Sequence, residues 1–148
     1  MNTLEIKRYL EKNEDTRNIF LNVYAVDQLP KRKIEQEPWL LVCNCCPANK
    51  RGEHWIAMFY ENEELEFFDS FGLSPEDYDG VTEFLLTQRP KDIIFNTIQL
   101  QSDESDACGH YCILYGLHRS RGETFHTIIK NMNELNRDDF IKFIVSVL

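Results

Sequence analysis

The sequence predicts an α+β fold, in which a small, mixed and largely antiparallel sheet packs against helices. The chain has 148 residues, of which 43% are hydrophobic and 12% aromatic, so residues 1–148 can bury the core of a single domain without disulfide bridges. Short apolar runs bounded by polar turns indicate strands, and segments with a helical spacing of apolar residues flank them. Their order is a helix, strands, a helix, a strand and three helices, which is typical of the α+β class.

The N-terminal segment predicts a helix followed by an extended stretch. Thr3 can cap a helix that runs to about Lys12. The apolar stripe of this helix consists of Leu4, Ile6 or Tyr9, and Leu10. Residues 19–30 then predict an extended segment that ends in a proline turn.

Three strands follow in the middle of the chain. Residues 39–44 form a short apolar run that predicts a buried strand, and residues 54–60 predict a second one after a polar loop at 47–52. A turn at residues 61–64 leads into a third strand at 65–69. The short turn makes the second and third strands an antiparallel hairpin.

The next segment predicts a helix and a fourth strand. Residues 74–77 have serine at the N-cap, proline at the first helical position and acidic residues in the first turn. This helix should run towards Gln88. Residues 93–96, of which the first three are apolar, predict the fourth strand.

The last third of the chain predicts three helices. The first begins near Cys108 and should stop near Gly122, and the others follow Thr124 and Asn136. The predicted apolar face of the final helix consists of Phe140, Phe143, Ile144 and Val147.

Composition excludes several classes of function. The formal net charge of −9 argues against non-specific binding of DNA or RNA by the whole surface, and the basic patch at residues 31–33 predicts a solvated loop. No run is long enough to span a membrane, and the first residues lack signal-peptide features. The five cysteines are an odd number, which favours a reducing intracellular compartment over a disulfide framework.

One cysteine has the sequence context of a nucleophile. Cys108 follows a polar loop and opens an apolar run, with Ser105 or Asp106 placed to cap the helix. Backbone N–H groups and the dipole at a helix N-terminus stabilise a thiolate, and the N–H of Cys108 could also face a developing oxyanion. The alternative is a small buried cysteine at the start of a core helix.

Four histidines are available as a base for Cys108. His54 begins a strand after a polar loop, where a side chain can face a cleft. His110 lies two positions after Cys108, so on a helix it would point away from it. His118 and His126 lie on helical faces, where packing or surface roles are the ordinary expectation. His54 is therefore the predicted base.

Two further residues complete the candidate site. Asp69 ends the strand that pairs with the strand of His54, so it can lie within cross-strand reach of the imidazole and orient it. Gln101 lies seven positions before Cys108, and its side-chain amide could donate to the same oxyanion. Gln99 competes for this role, because residues two apart in an extended segment point the same way.

These residues, in this order, resemble the adenovirus protease (adenain) family and, more loosely, the wider clan that includes the SUMO-specific proteases. The motifs that carry the resemblance are His-Trp at 54–55, Phe-Phe-Asp-Ser-Phe-Gly at 67–72, Gln101 and Cys-Gly at 108–109. Residues 23–30, 67–72 and 108–112 look most like the adenain-like proteases of Maverick/Polinton elements and related large DNA viruses. The similarity extends from about residue 20 to residue 122.

The resemblance implies a papain-like cysteine protease with a rearranged chain order. It implies that Cys108 is the nucleophile, His54 the base, Asp69 the acidic third member and Gln101 the oxyanion donor. The implied substrates are viral capsid or core precursors, often cleaved after small residues such as glycine. The implied location is the host cytoplasm or nucleus, with packaging in virions.

The chain also departs from the adenovirus pattern. Adenovirus protease is basic and is activated by DNA and a disulfide-linked peptide, whereas this chain is acidic. It has no obvious counterpart of the cysteine that anchors the peptide. We therefore expect no cofactor and no DNA dependence, and an activating peptide stays an open alternative. Asp69 stands where the adenovirus enzyme has Glu, as in the SUMO-protease branch.

Two rival functions come from different classes. The first is a zinc-binding interaction domain with ligands drawn from Cys43, Cys45, Cys46, Cys108 and Cys112. The Cys-x-Cys-Cys spacing lacks the paired arrangement of common zinc sites, so no metal is predicted. The second is an isopeptidase that removes a ubiquitin-like modifier, although 148 residues leave little room for a modifier-binding surface.

Overall fold

The computed structural model describes residues 1–45, 54–135 and 137–148. Cys46, the predicted polar loop at 47–52 and Asn136 lie outside the described residues. The helices and strands are α1 (Thr3–Lys12), β1 (Phe20–Ala25), β2 (Trp39–Asn44), β3 (Trp55–Glu61), β4 (Glu64–Phe68), α2 (Val81–Thr87), β5 (Asp92–Phe95), α3 (Cys108–Ser120), α4 (Phe125–Leu135) and α5 (Asp138–Ser146). Two 3₁₀ turns occupy Val26–Gln28 and Pro75–Asp77. No helix of the described residues is long and apolar enough to cross a membrane.

The five strands form one sheet in the order β1-β2-β3-β4-β5. The two inner pairs, β2–β3 and β3–β4, are antiparallel, whereas β1–β2 and β4–β5 are parallel. This confirms the predicted α+β class and mixed sheet, with half of the strand pairs parallel. The β3–β4 register places Ala57 opposite Phe68, so His54 and Asp69, just outside the paired residues, are diagonal neighbours across the hairpin.

Both faces of the sheet are covered, which explains why the strands are continuously apolar. All but the last residue of β2 are buried. Leu40 and Val42 pack in the core that contains α1 and α3, whereas Leu41 and Cys43 pack in a second core with Phe84 of α2. A strand buried on both faces has no polar alternation, as the sequence pattern indicated.

Helix α3 is buried against the sheet and is anchored to β4. The rings of Phe68 and Tyr115 stack with centroids 4.6 Å apart. The Tyr115 hydroxyl donates to Glu66 at 2.5 Å, and Arg119 Nε lies 3.0 Å from both carboxylate oxygens of Glu66. A buried carboxylate with these partners fixes the helix relative to the strand, because breaking one contact leaves charge unpaired in the interior.

The start of α1 differs from the sequence prediction. Asn2, not Thr3, is the N-cap: its side chain accepts from the backbone N–H of Glu5, whose carboxylate accepts from the N–H of Asn2. This reciprocal pair is a capping box, which an amide can form as well as a hydroxyl. Leu4 is 70% exposed, so its place in the apolar stripe was wrong. The buried residues of this helix are Ile6 and Leu10.

The helix predicted from residue 74 to Gln88 is two separate elements. A capping box between Ser74 and Asp77 closes only a single 3₁₀ turn. The chain leaves the helical conformation at Tyr78, whose φ of −121° and ψ of 123° are extended, and α2 begins afterwards at Val81. The prediction of one continuous helix was wrong. The Ser74 capping box starts a helical turn, but Tyr78 has an extended backbone and its hydroxyl bonds to Asp69, so the turn does not continue.

The apolar face predicted for the last helix was also wrong. Helix α5 buries Ile141 and Val145, and Ile144 packs at the margin of the core. The other predicted members, Phe140, Phe143 and Val147, are exposed. The apolar residues of this helix permit two faces, and packing against α3 selects one of them.

Gly72 allows the loop after β4 to approach the backbone of Ile98 closely. Its φ is +73°, and a Cβ atom there would lie 2.7 Å from the carbonyl carbon and oxygen of Ile98. Gly122 has a similar φ of +92°, but nothing lies within 4 Å of its would-be Cβ. Both positions therefore carry backbone strain on substitution, and only Gly72 adds a clash with backbone atoms.

We expect Gly72→Ala to lower the free energy of unfolding by about 3 kcal/mol or more, and the matched Gly122→Ala control by about 1–2 kcal/mol. The strain at positive φ is common to both variants, and the clash is not. Urea unfolding of the two variants beside the wild type measures the difference. Equal losses in the two variants would contradict the close approach.

Candidate active site

Cys108 is the first residue of the buried helix α3, as the sequence predicted. It is 5% exposed. The N-cap is Ala107, and no side chain caps the helix, so the expectation that Ser105 or Asp106 does so was wrong. The Ser105 hydroxyl instead accepts from the N–H of Ala107 at 3.1 Å, and the Asp106 carboxylate pairs with Lys142 of α5. The first-turn N–H groups of α3 therefore have no side-chain acceptor and remain available to the Cys108 sulfur or to a bound anion.

His54 and Asp69 form a buried hydrogen-bonded pair. The imidazole Nε2 lies 2.7 Å from Oδ1 of Asp69. The Asp69 side chain is fully buried, and that of His54 is 12% exposed. The β3–β4 hairpin therefore brings these two predicted site residues together in the relation of a base and its orienting carboxylate.

The Asp69 carboxylate is held by three donors besides His54. Oδ1 also accepts from the N–H of Phe71 at 2.9 Å. Oδ2 accepts from the Tyr78 hydroxyl at 2.6 Å and from the N–H of Leu73 at 3.2 Å. With its lone pairs engaged in this way, the carboxylate presents Oδ1 to His54 in one fixed orientation.

Two aromatic rings confine the imidazole. The His54 ring stacks on Phe71 at a centroid distance of 4.6 Å and lies nearly parallel to Tyr78 at 5.9 Å. Phe71 belongs to the motif at residues 67–72, but its role could not be read from the sequence. Tyr78 was missed because it fell inside a predicted helix. Burial and the Asp69 carboxylate raise the pKa of Tyr78, so its hydroxyl stays a donor.

Asn96 completes the surroundings of Asp69 and was also missed from the sequence. Its Oδ1 accepts from the N–H of Asp69 at 3.1 Å, and its Nδ2 donates to the carbonyl oxygen of Asp69 at 2.6 Å. Both backbone groups of the buried residue are therefore satisfied by one side-chain amide. The two residues are 27 positions apart, so no local pattern could have shown the contact.

The ionisation of His54 and Cys108 is shifted in opposite directions. Burial lowers the pKa of His54, but hydrogen bonds with Asp69 and Cys108 and the charges of both outweigh it and raise the pKa to about 9. Burial raises the pKa of Cys108, but a hydrogen bond with His54, the N–H groups of Trp55 and Gly109 and the charge of His54 bring it below its ordinary value. Each group therefore favours the charged form of the other: the imidazolium favours the thiolate, and the thiolate favours the imidazolium.

Of the two ring nitrogens of His54, Nδ1 is the one that Asp69 does not engage. Nε2 is engaged by Asp69, and Nδ1 is buried and makes no hydrogen bond of standard geometry within the described part of the chain. Nδ1 is therefore the ring nitrogen that is available to the Cys108 thiol.

Gln101 is buried, and its amide has one free N–H. Nε2 donates to the carbonyl oxygen of Ser105 at 2.6 Å, and Oε1 accepts from the Ser70 hydroxyl at 2.6 Å. Because a carbonyl oxygen only accepts, the Ser105 contact fixes which end of the amide is nitrogen. The second N–H has no acceptor among the described residues. In Gln99 both N–H groups are engaged, by the carbonyl oxygen of Gln101 at 2.9 Å and by Asp103 at 2.7 Å.

The remaining histidines lie elsewhere. His118 is at the far end of α3, with Nδ1 3.2 Å from Glu123, and His126 is exposed on α4. Burial lowers the pKa of His110, whose Nδ1 has no hydrogen-bond partner among the described residues. Of the described histidines, only His54 pairs with a buried carboxylate.

The cysteines do not form a metal centre in the described part of the chain, where no three potential ligands cluster. Cys46, one of the ligands considered for zinc, lies outside it. Burial raises the pKa of Cys43 to about 12 and that of Cys112 well above the ordinary value. The pKa values of these thiols are therefore shifted in the direction opposite to that of Cys108.

No protein-family model matches the chain, and no curated protein matches it in sequence. Among solved structures, a crystal structure of the ASFV pS273R protease is similar to it with a TM-score of 0.56 and 17% identity over 92% of this chain. A crystal structure of the selenomethionine form of that protease matches 67% of this chain with a TM-score of 0.44 and 22% identity. The first match covers 65% of that protease and shows that this chain has its α+β fold.

Alkylation by iodoacetamide should report the ionisation of Cys108. The rate at Cys108 should rise with pH through a midpoint below the ordinary pKa of a cysteine thiol. In His54→Ala the midpoint should move above that value, because burial then acts on the Cys108 pKa without the imidazolium. Peptide mapping by mass spectrometry over a pH series gives both midpoints.

Cys43 and Cys112 are internal controls in the same experiment, since burial raises the pKa of each. They should stay unmodified while Cys108 reacts. Modification of Cys43 with Cys108 untouched would contradict the assignment of the reactive thiol.

Proposed function

We propose that this chain is a cysteine endopeptidase of the adenain and pS273R type, with Cys108 as nucleophile, His54 as base, Asp69 as orienting residue and Gln101 as oxyanion donor. The observation that carries the proposal is the buried Asp69–His54 pair, 2.7 Å apart, whose imidazole lowers the pKa of a cysteine at a helix N-terminus. The fold shared with the ASFV pS273R protease supports it.

The proposed reaction proceeds through an acyl-enzyme. The Cys108 thiolate attacks the scissile carbonyl carbon, and the carbonyl oxygen becomes an oxyanion. When the C–N bond breaks, the leaving amine takes a proton from the His54 imidazolium, and a thioester remains. A water molecule then gives a proton to His54 and attacks the thioester, which releases the carboxylic acid and restores the thiolate–imidazolium pair.

Two donors can face the oxyanion in this mechanism. One is the backbone N–H of Cys108 at the uncapped start of α3. The other is the second N–H of Gln101, which has no acceptor among the described residues. Gln99 is less suited, because its two N–H groups are already engaged. Preorganised donors of this kind stabilise developing charge more than a water molecule does.

The proposed substrates are polypeptides, specifically capsid or core precursors of a virus or virus-like element. The support is the resemblance of residues 23–30, 67–72 and 108–112 to adenain-like proteases of Maverick/Polinton elements. On this proposal the enzyme acts in the host cytoplasm or nucleus and is packaged in virions. Its net charge of −9 opposes activation by DNA, while an activating peptide stays an open alternative.

Cleavage of a diverse peptide library, read by mass spectrometry, tests the activity. Wild-type protein should cut, and Cys108→Ala and His54→Ala should lose about 10⁴-fold to 10⁶-fold in turnover because each removes a group that reacts. His126→Ala is the matched histidine control and should keep wild-type activity, since His126 is exposed on α4.

If folded wild-type protein leaves every peptide of the library uncleaved, that result would contradict the proposal of an endopeptidase. Reaction with a ubiquitin-like modifier probe in the same sample would then favour the isopeptidase. Adding double-stranded DNA to the cleavage assay should give no salt-sensitive rise in rate.

Gln101→Ala should lower kcat by about 10²-fold to 10³-fold if its amide donates to the oxyanion. The variant should also lose about 1–3 kcal/mol of stability, because Gln101 is buried and bonded to Ser70 and Ser105. Gln99→Ala is the control and should lose far less activity. A larger loss in Gln99→Ala would transfer the role to Gln99.

A further inference from the structure

Asp138, in the first turn of α5, is bound to the loop that precedes Cys108. Its Oδ2 accepts from the Ser102 hydroxyl at 2.6 Å and from the Ser102 N–H at 3.2 Å. Its Oδ1 accepts from the hydroxyl of Tyr111 at 2.9 Å. The carboxylate therefore joins three parts of the molecule: helix α5, helix α3 and the loop at residues 101–107.

The same loop holds the amide of Gln101. The N–H of Ser105 donates to the carbonyl oxygen of Ser102 at 3.1 Å, and the carbonyl oxygen of Ser105 accepts from Nε2 of Gln101 at 2.6 Å. The Ser105 hydroxyl accepts from the N–H of Ala107, one residue before the nucleophile. A continuous set of hydrogen bonds thus leads from Asp138 through Ser102 and Ser105 to Nε2 of Gln101, which carries the free N–H.

The charge of Asp138 strengthens these contacts. Burial raises the pKa of Asp138, but hydrogen bonds from Ser102, Tyr111 and Ser105 outweigh it and lower the pKa. Hydrogen bonds to an ionised acceptor are about twice as strong as neutral ones. The other contact between α5 and this loop, the Lys142–Asp106 pair, is exposed to solvent and screened.

We propose that Asp138 is a positioning residue for the oxyanion site: it fixes the loop at residues 101–107 so that the second N–H of Gln101 is held beside Cys108. This inference rests on the proposed function. Asp138 itself touches neither the substrate nor the reacting atoms, and it acts through Ser102 and Ser105 on Gln101.

The reactions of Cys108 with two electrophiles distinguish a positioning role of Asp138 at the oxyanion site from a general role in stability. A peptidyl aldehyde adds to the Cys108 sulfur and forms an oxyanion, whereas alkylation by iodoacetamide forms none. In Asp138→Ala we expect inhibition by the aldehyde to weaken by about 10-fold to 100-fold, a fraction of the loss for removing the donor itself. The iodoacetamide rate at Cys108 should change by less than about two-fold, because the thiolate environment is intact.

The control variants are matched to the contacts. Lys142→Ala removes the exposed α5–loop pair and should leave both reactions unchanged. Asp138→Asn keeps an acceptor for Ser102, and the Tyr111 hydroxyl can still donate to the carbonyl oxygen of Leu100, 3.1 Å away, so this variant should keep most of the aldehyde affinity. Equal losses with the aldehyde and with iodoacetamide in folded Asp138→Ala would overturn the proposal.

A double-mutant cycle tests the route through Gln101. If Asp138 acts through that amide, Asp138→Ala should reduce kcat in the wild-type background and should have little further effect in Gln101→Ala. Additive losses in the double variant would overturn the proposal, because they would mean that the two side chains act independently.

Amide hydrogen exchange needs no substrate and therefore distinguishes a failure of this proposal from a failure of the proposed function. Exchange at Ser102 and Ser105 should be faster in Asp138→Ala and unchanged in Lys142→Ala. Unchanged exchange in Asp138→Ala would overturn the proposal whether or not the wild type cleaves peptides. Faster exchange with an inactive wild type would overturn the proposed function and support the tie between Asp138 and the loop.

Discussion

The buried carboxylate of Asp69 is the constraint on which the arrangement of the site depends. Taking a carboxylate out of water costs several kcal/mol unless its lone pairs are satisfied, and here four donors converge on it. These donors come from three places in the chain: the start of β3, the loop after β4 and Tyr78. Their positions cannot change independently, because a donor that moves away leaves part of a buried charge unsatisfied. The charge that orients His54 thus also organises the loops around it.

Ser70, the residue after Asp69, connects the His54–Asp69 pair to Gln101. The carbonyl oxygen of Ser70 accepts from the N–H groups of Leu100 and Gln101 at 2.8 and 2.9 Å, and its hydroxyl donates to Oε1 of Gln101. Successive residues at the end of β4 therefore serve the two halves of the site, Asp69 the imidazole and Ser70 the amide. The loop before Cys108 carries three exposed carboxylates, those of Asp103, Glu104 and Asp106. They oppose a thiolate only weakly, since exposed charges are screened by solvent and salt.

Those parts of the site that depend on segments adjacent in the chain could be predicted from the sequence. The His54–Asp69 contact follows from the length of the turn between two adjacent strands, and the place of Cys108 follows from a polar loop that runs into an apolar helix. Tyr78, Asn96 and Asp138 could not be found in this way. Asn96 meets Asp69 across 27 positions and Asp138 meets Ser102 across 36, and such contacts arise only when separate elements pack. The wrong face of α5 has the same cause, because periodicity permits two faces and the neighbouring helix selects one.

The packing of α3 on β4 places Cys108 and His54 on a common scaffold. Cys108 is at the N-terminus of α3, while the other end of that helix is bound to β4 through Glu66, Tyr115 and Arg119. The end of β4 leads directly into Asp69, which holds His54. Cys108 and His54 are therefore both anchored to β4, Cys108 through helix α3 and His54 through Asp69. Sites built on helices and strands in this way hold their geometry more closely than sites built on loops. Gln101, the proposed oxyanion donor, comes from the loop before α3, and this loop is held by Ser70 on one side and by Asp138, through Ser102, on the other.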